Sequence, residues 1–228
     1  MTAGISYRYF VSAYNVLGGE GDKSAGLEVT PINEPNAAAA PLLVTKGKDF
    51  ITVKWVPPTD TGGSDVIKYI LYARPEYDPT YRQVYAGIAL TFAFTSAEFP
   101  SILVTGFNYQ FKVRSVNAAG QSPLSAASAT MLAAIAPSAP RNLTLLSRSA
   151  TSLKFSWDPP LDDGGVELIG YKVYVAEDDK AYAEVPTALS AADETVVAHE
   201  HLAADLTPGL PYRFRVSAYN IIGEGPTQ

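Results

Sequence analysis

"YRFRVSAYNIIG", Tyr212–Gly223, is the stretch that decides the fold. Read on every second residue it gives Tyr212, Phe214, Val216, Ala218 and Asn220, with a glycine three residues after the asparagine. The same phrase stands twice earlier, as Tyr7-x-Tyr9-x-Val11-x-Ala13-x-Asn15-x-x-Gly18 and as Tyr109-x-Phe111-x-Val113-x-Ser115-x-Asn117-x-x-Gly120. A second phrase occurs twice, "ITVKWVPPTDTGGSDVIKYILY" from Ile51 and "LKFSWDPPLDDGGVELIGYKVY" from Leu153. Its tryptophans, Trp55 and Trp157, are spaced like the tyrosines, and a period of about a hundred residues is a domain's, not a small solenoid unit's.

The local grammar is β. Ile51, Val53 and Trp55 alternate with Thr52 and Lys54, as Leu153, Phe155 and Trp157 alternate with Lys154 and Ser156. A half-buried strand has this period because successive side chains point to opposite faces. Pro57-Pro58 and Pro159-Pro160 end these strands by removing ladder donors, and Gly62-Gly63 and Gly164-Gly165 turn the chain. The next strands are expected to bury Ile67, Tyr69 and Leu71, and Ile169, Tyr171, Val173 and Val175. Short strands with turn signals at this spacing imply an all-β sandwich.

Together these residues resemble the fibronectin type III family. The likeness rests on the tryptophan of the second strand, the Pro-Pro after it and the tyrosine of the third strand. It continues with Leu103…Gly106…Tyr109, Leu206…Gly209…Tyr212 and the Tyr-x-Phe-x-Val-x-Ala-x-Asn-x-x-Gly sixth strand. The resemblance implies tandem seven-stranded immunoglobulin-like sandwiches in succession, with a core carried by Trp55, Tyr69, Tyr109, Trp157, Tyr171 and Tyr212. It also implies a tyrosine corner at Tyr109 and Tyr212, and at Tyr7. On this reading residues 1–33 are the sixth and seventh strands of a preceding module. Residues 34–135 are a complete module, and 136–228 are one lacking its last strand. The apolar side chains Tyr9, Val11 and Leu27 then have no cover, and an open edge invites strand exchange at the incomplete ends. The linkers Thr30–Pro41 and Leu132–Pro140 are short and proline-punctuated, which makes for stiff joints, with Ile32 and Ile135 as their apolar residues.

Composition narrows the function. A net charge of −6 and a pI near 4.9 argue against nucleic acid as a partner. No apolar run has a membrane span's length, and Met1–Phe10 shows no signal pattern. The chain has no cysteine, so thiol chemistry and disulfides are excluded.

The enzyme-like fragments are weak. His199-Glu200-His201 puts two imidazoles on one strand face, with Asp205 nearby, but lacks the helical His-Glu-x-x-His spacing. Asp162-Asp163 and Glu177-Asp178-Asp179 lack the alternate spacing of a calcium loop and read as solvated turns. No Gly-x-Ser-x-Gly elbow or phosphate loop occurs. No catalytic residue, metal or cofactor is implied, and the family's Arg-Gly-Asp adhesion triplet is missing. Asn142-Leu143-Thr144 matches the N-glycosylation acceptor pattern.

The candidate partner surface lies on the middle module. Ile70 and Tyr72, counterparts of Lys172 and Tyr174, point outward by alternation. Tyr81 and Tyr85 join them, facing Gln110, Lys112 and Arg114 across the sheet. Tyrosine and arginine are the side chains that protein interfaces favour, although long cationic stems also cover tyrosine rings on ordinary sheet faces. The reading is a structural and interaction segment of a filamentous, adhesive or scaffold protein, binding other proteins or further modules of its own chain. Spacer modules of a surface or carbohydrate-active enzyme and a receptor ectodomain are the alternatives. An extracellular or cell-surface location is expected, with a cytoskeletal scaffold as the other choice.

Overall fold

The computed structural model describes residues 1–185, 189–190, 199–204 and 206–228, with backbone alone for 189–190 and 199–203. These residues form strands and no helix. The chain divides into two compact units. One holds Met1–Thr45, Phe50–Leu103 and Asn108–Met131; the other holds Lys46–Asp49, Val104–Phe107 and Leu132–Gln228.

The first unit opens with two small hairpins. Strand β1 (Tyr7–Tyr9) and the later β4 (Leu27–Val29) pair antiparallel, Tyr7 opposite Val29, and between them β2 (Tyr14–Asn15) pairs β3 (Gly19–Glu20). Tyr9, Val11 and Leu27 are exposed by 44%, 74% and 64% here, so this copy of the phrase buries little. A sandwich follows. One sheet has the order β5 (Leu42–Lys46), β6 (Phe50–Lys54), β9 (Thr91–Thr95). The other has β11 (Met131–Leu132), β10 (Asn108–Val116), β7 (Lys68–Pro75), β8 (Arg82–Gly87). Ile51, Val53, Trp55 and Phe94 from the first sheet bury against Tyr69, Leu71, Tyr109 and Phe111 from the second. Aromatic edges interlock across the gap: Trp55 on Tyr69 at 6.1 Å, and Phe94 on Tyr109 and Phe111 at 5.9 and 5.7 Å. Each such ring contributes about 1.5–3 kcal/mol by burial, and the T-shaped pairings add to that.

The second unit repeats the scheme. Its three-stranded sheet is β12 (Arg141–Arg148), β13 (Leu153–Asp158), β17 (His199–Ala203). Strand β14 (Leu168–Glu177) carries β15 (Ala183–Glu184) and β16 (Leu189–Ser190) on one side. On its other side lie β18 (Tyr212–Asn220) and then β19 (Gly223–Glu224). Phe155, Trp157, Tyr171, Val173, Val216 and Ala218 form the core, with Leu143, Leu206 and Phe214 packed on it.

Two expected core residues are exposed, and each for a local reason. Ile67 (58% exposed) precedes the first residue of β7. Ile169 (50% exposed) sits in the bulge between Leu168 and Gly170, where the alternation slips.

A third element escaped the alternation altogether. After Gly120 the chain returns along β10 with a period of three. The amides of Ser122, Ser125 and Ser128 donate to the carbonyls of Ser115, Val113 and Phe111. The same serines' Oγ atoms accept from the amides of Ser115, Val113 and Phe111, all at 3.0 Å, and donate to the carbonyls of Pro123, Ala126 and Ala129. Serine hydroxyls thus supply the acceptors that a regular strand's carbonyls would. Three residues per turn is the polyproline II repeat, which fits the proline and small residues of "SPLSAASAT".

Candidate partner-binding face

On the four-stranded sheet of the middle module, the residues of β7, β10 and β8 that do not enter the core form one outer face. Cross-strand pairing sets Ile70 opposite Arg114, Tyr72 opposite Lys112 and Arg74 opposite Gln110, with Gln83 on the far side of Tyr72. The Tyr81 ring lies between two cations, with Arg74 Cζ 5.3 Å and Lys112 Nζ 4.9 Å from its centroid. Arg114 Cζ stands 5.6 Å from the centre of Tyr72. Each arginine is oriented by an amide: Arg74 Nη2 donates to Gln110 Oε1 and Arg114 Nη1 to Gln121 Oε1, both at 2.7 Å. Among the described residues no carboxylate pairs with Arg74, Lys112 or Arg114.

Two residues assigned to this face by alternation offer it no surface. The register shifts between Leu71 and Tyr72, because Leu71 faces Tyr85 whereas Tyr72 faces Gln83. Val84 is the extra residue, and a one-residue slip turns the next side chain to the opposite side. Tyr85 therefore packs inward, 5.8 Å from Trp55 and 4.9 Å from Phe92, and its hydroxyl accepts from the Ala89 amide. Ile70 keeps the outward parity but is only 6% exposed, so it offers a partner almost no surface. The face is Tyr72, Tyr81, Arg74, Lys112 and Arg114; Arg74 was the residue that sequence reasoning missed. Its signal was the alternation itself, since Arg74 stands two residues after Tyr72 on β7.

The homologous face of the last module carries the same architecture. Tyr182 lies against Arg213 and Arg215, with Cζ 5.6 and 4.1 Å from the ring centre. Register makes the correspondence strict. Arg74 opposite Gln110 becomes Ala176 opposite Arg213, and Ile70 opposite Arg114 becomes Lys172 opposite Ser217. Tyr72 opposite Lys112 becomes Tyr174 opposite Arg215. Three cations occupy the same three cross-strand pairs, two of them on exchanged strands. The carboxylates differ. Glu184 opposes Tyr174 where Gln83 opposes Tyr72, and Glu224 pairs with Tyr219 where Gln121 bridges to Val116. Lys172 Nζ lies 3.4 Å from Glu184 Oε2 and 3.2 Å from Glu224 Oε2. Glu224 Oε1 also accepts from Tyr174 Oη at 2.6 Å and Ser217 Oγ at 2.5 Å. Burial acts to raise the Glu224 carboxyl, but the bonds from Ser217, Tyr174 and Lys172 outweigh it and hold it below the usual range. Lys172 is raised in turn, chiefly by its bond to Glu224.

A second repeated device sits where each linker enters its module. Asn117 Oδ1 accepts from the amides of Ala119 and Gly120, and its Nδ2 donates to the carbonyls of Asn33 and Thr61, both at 2.7 Å. Asn220 does the same with Ile222 and Gly223, and donates to Ile135 and Asp163, both at 2.8 Å. The incoming linker is thereby tied to the double-glycine turn. Glycine is required there: a Cβ on Gly62 (φ +72°) would stand 2.1 Å from Asn33 O, and one on Gly164 (φ +83°) 2.0 Å from Ile135 O. Asn15 keeps the turn half of this arrangement, accepting from Leu17 and Gly18, without the donor half. Ile32 and Ile135 are 37% and 38% exposed.

The three tyrosines of the repeated phrase each bond upstream backbone. Tyr109 Oη donates to Ile102 O at 3.0 Å, while Tyr7 and Tyr212 accept from the amides of Thr2 and Thr207 at 2.7 and 2.9 Å. Trp55, Tyr69, Tyr109, Trp157 and Tyr171 are buried, and Tyr212 is partly exposed. Desolvation pushes the Tyr171 hydroxyl up to about 12.

The remaining motifs form no assembled site among the described residues. The side chains of His199, Glu200 and His201, and all of Asp205, lie outside the described residues. Asp162 and Asp163 accept from the amides of Gly164 and Gly165 as turn caps, and Glu177 pairs with Lys180 at 3.0 Å. Asn142 takes a φ of +53° and donates to Asp158 Oδ2 at 2.7 Å.

Comparison with known proteins adds to this geometry. The fibronectin type III domain family matches residues 41–131 and 138–228. Cardiac-type myosin-binding protein C of Gallus gallus is 30% identical over 204 residues, covering 90% of this chain and 15% of that protein. Fibronectin type-III domain-containing protein 3a of Gallus gallus is 29% identical, covering 99% of this chain and 18% of that protein. Exoglucanase B of Cellulomonas fimi is 30% identical, covering 76% of this chain and 16% of that protein. The chain spans less than a fifth of the length of each of these relatives.

Proposed function

This chain belongs to the fibronectin type III family, and on that premise we propose that it serves as a non-catalytic structural and interaction segment of a larger filamentous, adhesive or scaffold protein. It acts as a semi-rigid spacer that touches other proteins laterally through the outer face of its middle module. One observation carries the reading: three cations interleaved with Tyr72 and Tyr81 on an accessible sheet face, in a chain whose net charge is −6. Tyrosine and arginine give large contact area at small entropic cost. The spacer half draws on the linker bonds, since Asn117 and Asn220 tie each linker to the module it enters. The similarity to myosin-binding protein C supports a place in a filament system, inside the cell. The wider use of this family supports an extracellular or cell-surface setting.

A photo-crosslinking residue at Gln83 in the full-length protein, in its native assembly, tests the lateral contact. Crosslinks to a second protein that vanish with Tyr72→Ala/Tyr81→Ala are the expected result. The same yield from a crosslinker at Thr91, on the outer face of the opposite sheet, would retire the face. The similarity to Exoglucanase B favours a second reading, a spacer module beside a catalytic domain. A catalytic domain within the same native polypeptide would select it.

A further inference from the structure

We infer that the outer face of the middle module binds an acidic protein segment whose carboxylates take the places that Glu184 and Glu224 fill on the last module. The inference rests on the lateral-contact reading above and specifies its chemistry.

The two faces share register, tyrosines and three cations, as the cross-strand pairs establish. They differ at two equivalent positions. The last module has glutamates, and both approach Lys172 within 3.4 Å. The middle module has the uncharged isosteres Gln83 and Gln121. Gln121 still orients its arginine through Oε1, so the geometry is kept while the charge is removed. What remains is three positive groups beside two tyrosine rings with no carboxylate of the described residues at ion-pair distance; Glu76 lines the cleft of Arg74 but accepts from Asn108. Cation–π contacts of about 0.5–1 kcal/mol at exposed sites do not offset that mutual repulsion in the way a carboxylate would. Such a cluster is a local stability cost, and costs of this kind concentrate where a site is kept for function.

Geometry sets what can lie there. On the last module Glu184 Oε2 and Glu224 Oε2 lie 3.4 and 3.2 Å from the one Lys172 Nζ, so the two carboxylate places are at most about 7 Å apart, two residues of an extended strand. An extended segment sets residues i and i+2 on one face at about that distance. A segment with acidic residues at i and i+2 presents both carboxylates to the cluster and lays its backbone across Tyr72 and Tyr81. Guanidinium groups already aligned by glutamine leave further N–H donors for carboxylates.

The test titrates the whole chain with a poly-L-glutamate peptide of about 15 residues and follows the amide signals of β7, β8 and β10. Binding should weaken as salt rises from 50 to 300 mM. The double variant Gln83→Glu/Gln121→Glu should weaken it about tenfold or more, because two carboxylates then stand beside the cations as Glu184 and Glu224 do on the last module. Thr91→Glu/Ala93→Glu adds the same charge to the outer face of the opposite sheet and should change the affinity less than twofold. Equal weakening by both double variants, or undiminished binding by Gln83→Glu/Gln121→Glu, overturns the inference. So does saturable binding of a sulfated polysaccharide fragment where polyglutamate gives none. Loss of the native crosslink in Tyr72→Ala/Tyr81→Ala together with no polyglutamate binding would leave the lateral contact standing and remove only its acidic chemistry.

Discussion

The outer sheet faces of the middle and last modules each put three cations into the same cross-strand pairs and clamp a tyrosine between two of them. One face then sets Glu184 and Glu224 against Lys172, and the other has the uncharged Gln83 and Gln121 at those places. The difference separates two demands on one scaffold. Core residues, tyrosine hydroxyls and linker asparagines recur because the fold needs them. The carboxylates change because the face is free to be either an inert wall or a contact site.

If the scaffold is shared, its disruption should cost both modules alike. Trp55→Ala and Trp157→Ala should each lose about 3–5 kcal/mol, read by denaturant unfolding with the remaining tryptophan and circular dichroism as probes. A loss below 2 kcal/mol in one alone would break the equivalence of the cores. Next come the linker asparagines. Asn117→Ala and Asn220→Ala each remove a buried side chain that bonds two carbonyls and two turn amides and should each cost about 1–3 kcal/mol. Asn15→Ala loses only exposed turn bonds and should cost under about 1 kcal/mol. A more specific contrast is the serine edge. Ser125→Ala leaves the Val113 amide buried without an acceptor and should cost about 1–2 kcal/mol. Ser125→Thr, which keeps the hydroxyl, should recover much of it.

The smallest effect is in pH. Glu224 is held below its ordinary value in the folded chain, so its contribution is present above the unfolded glutamate range and is lost as pH falls through the folded value. Wild type and Glu224→Gln should therefore differ in stability near neutrality and converge in acid. Gln121, at the equivalent place in the middle module, gives no such dependence. At the alkaline end, Tyr171 should resist ionisation until about pH 12, and its burial stabilises the fold below the ordinary tyrosine range and less so as pH rises through that value. Ultraviolet titration of tyrosinate absorbance checks this.

Much of the fold was legible because alternation and repetition reinforce each other. Trp55, Trp157 and the Tyr-x-Phe-x-Val phrases stand at positions where a two-residue period and a domain-length period agree. Alternation failed where the chain gains a residue, at Val84 and at Ile169, since a bulge has no fixed composition and reverses parity downstream. Tyr85 was misplaced for that reason. The serine edge was missed because its period is three, and a search for periods of two and 3.6 passes over Ser122, Ser125 and Ser128. The site was half legible. Tyr72, Tyr81 and Arg114 follow from strand parity, and Arg74 follows from it too, two residues past Tyr72 on β7, whereas the equivalence of Gln83 and Glu184 requires register across strands, which no single stretch of sequence contains.

The reciprocal exchange tests the central claim most directly. Gln83→Glu/Gln121→Glu in the middle module should stabilise the chain by about 0.5–1 kcal/mol in urea unfolding at low salt, and Glu184→Gln/Glu224→Gln should destabilise it by a similar amount. Both effects should shrink as salt rises. If the glutamate-for-glutamine variant of the middle module is neutral or destabilising while the glutamine-for-glutamate variant of the last module still loses stability, the two faces are not one architecture with its charge open in one module and closed in the other.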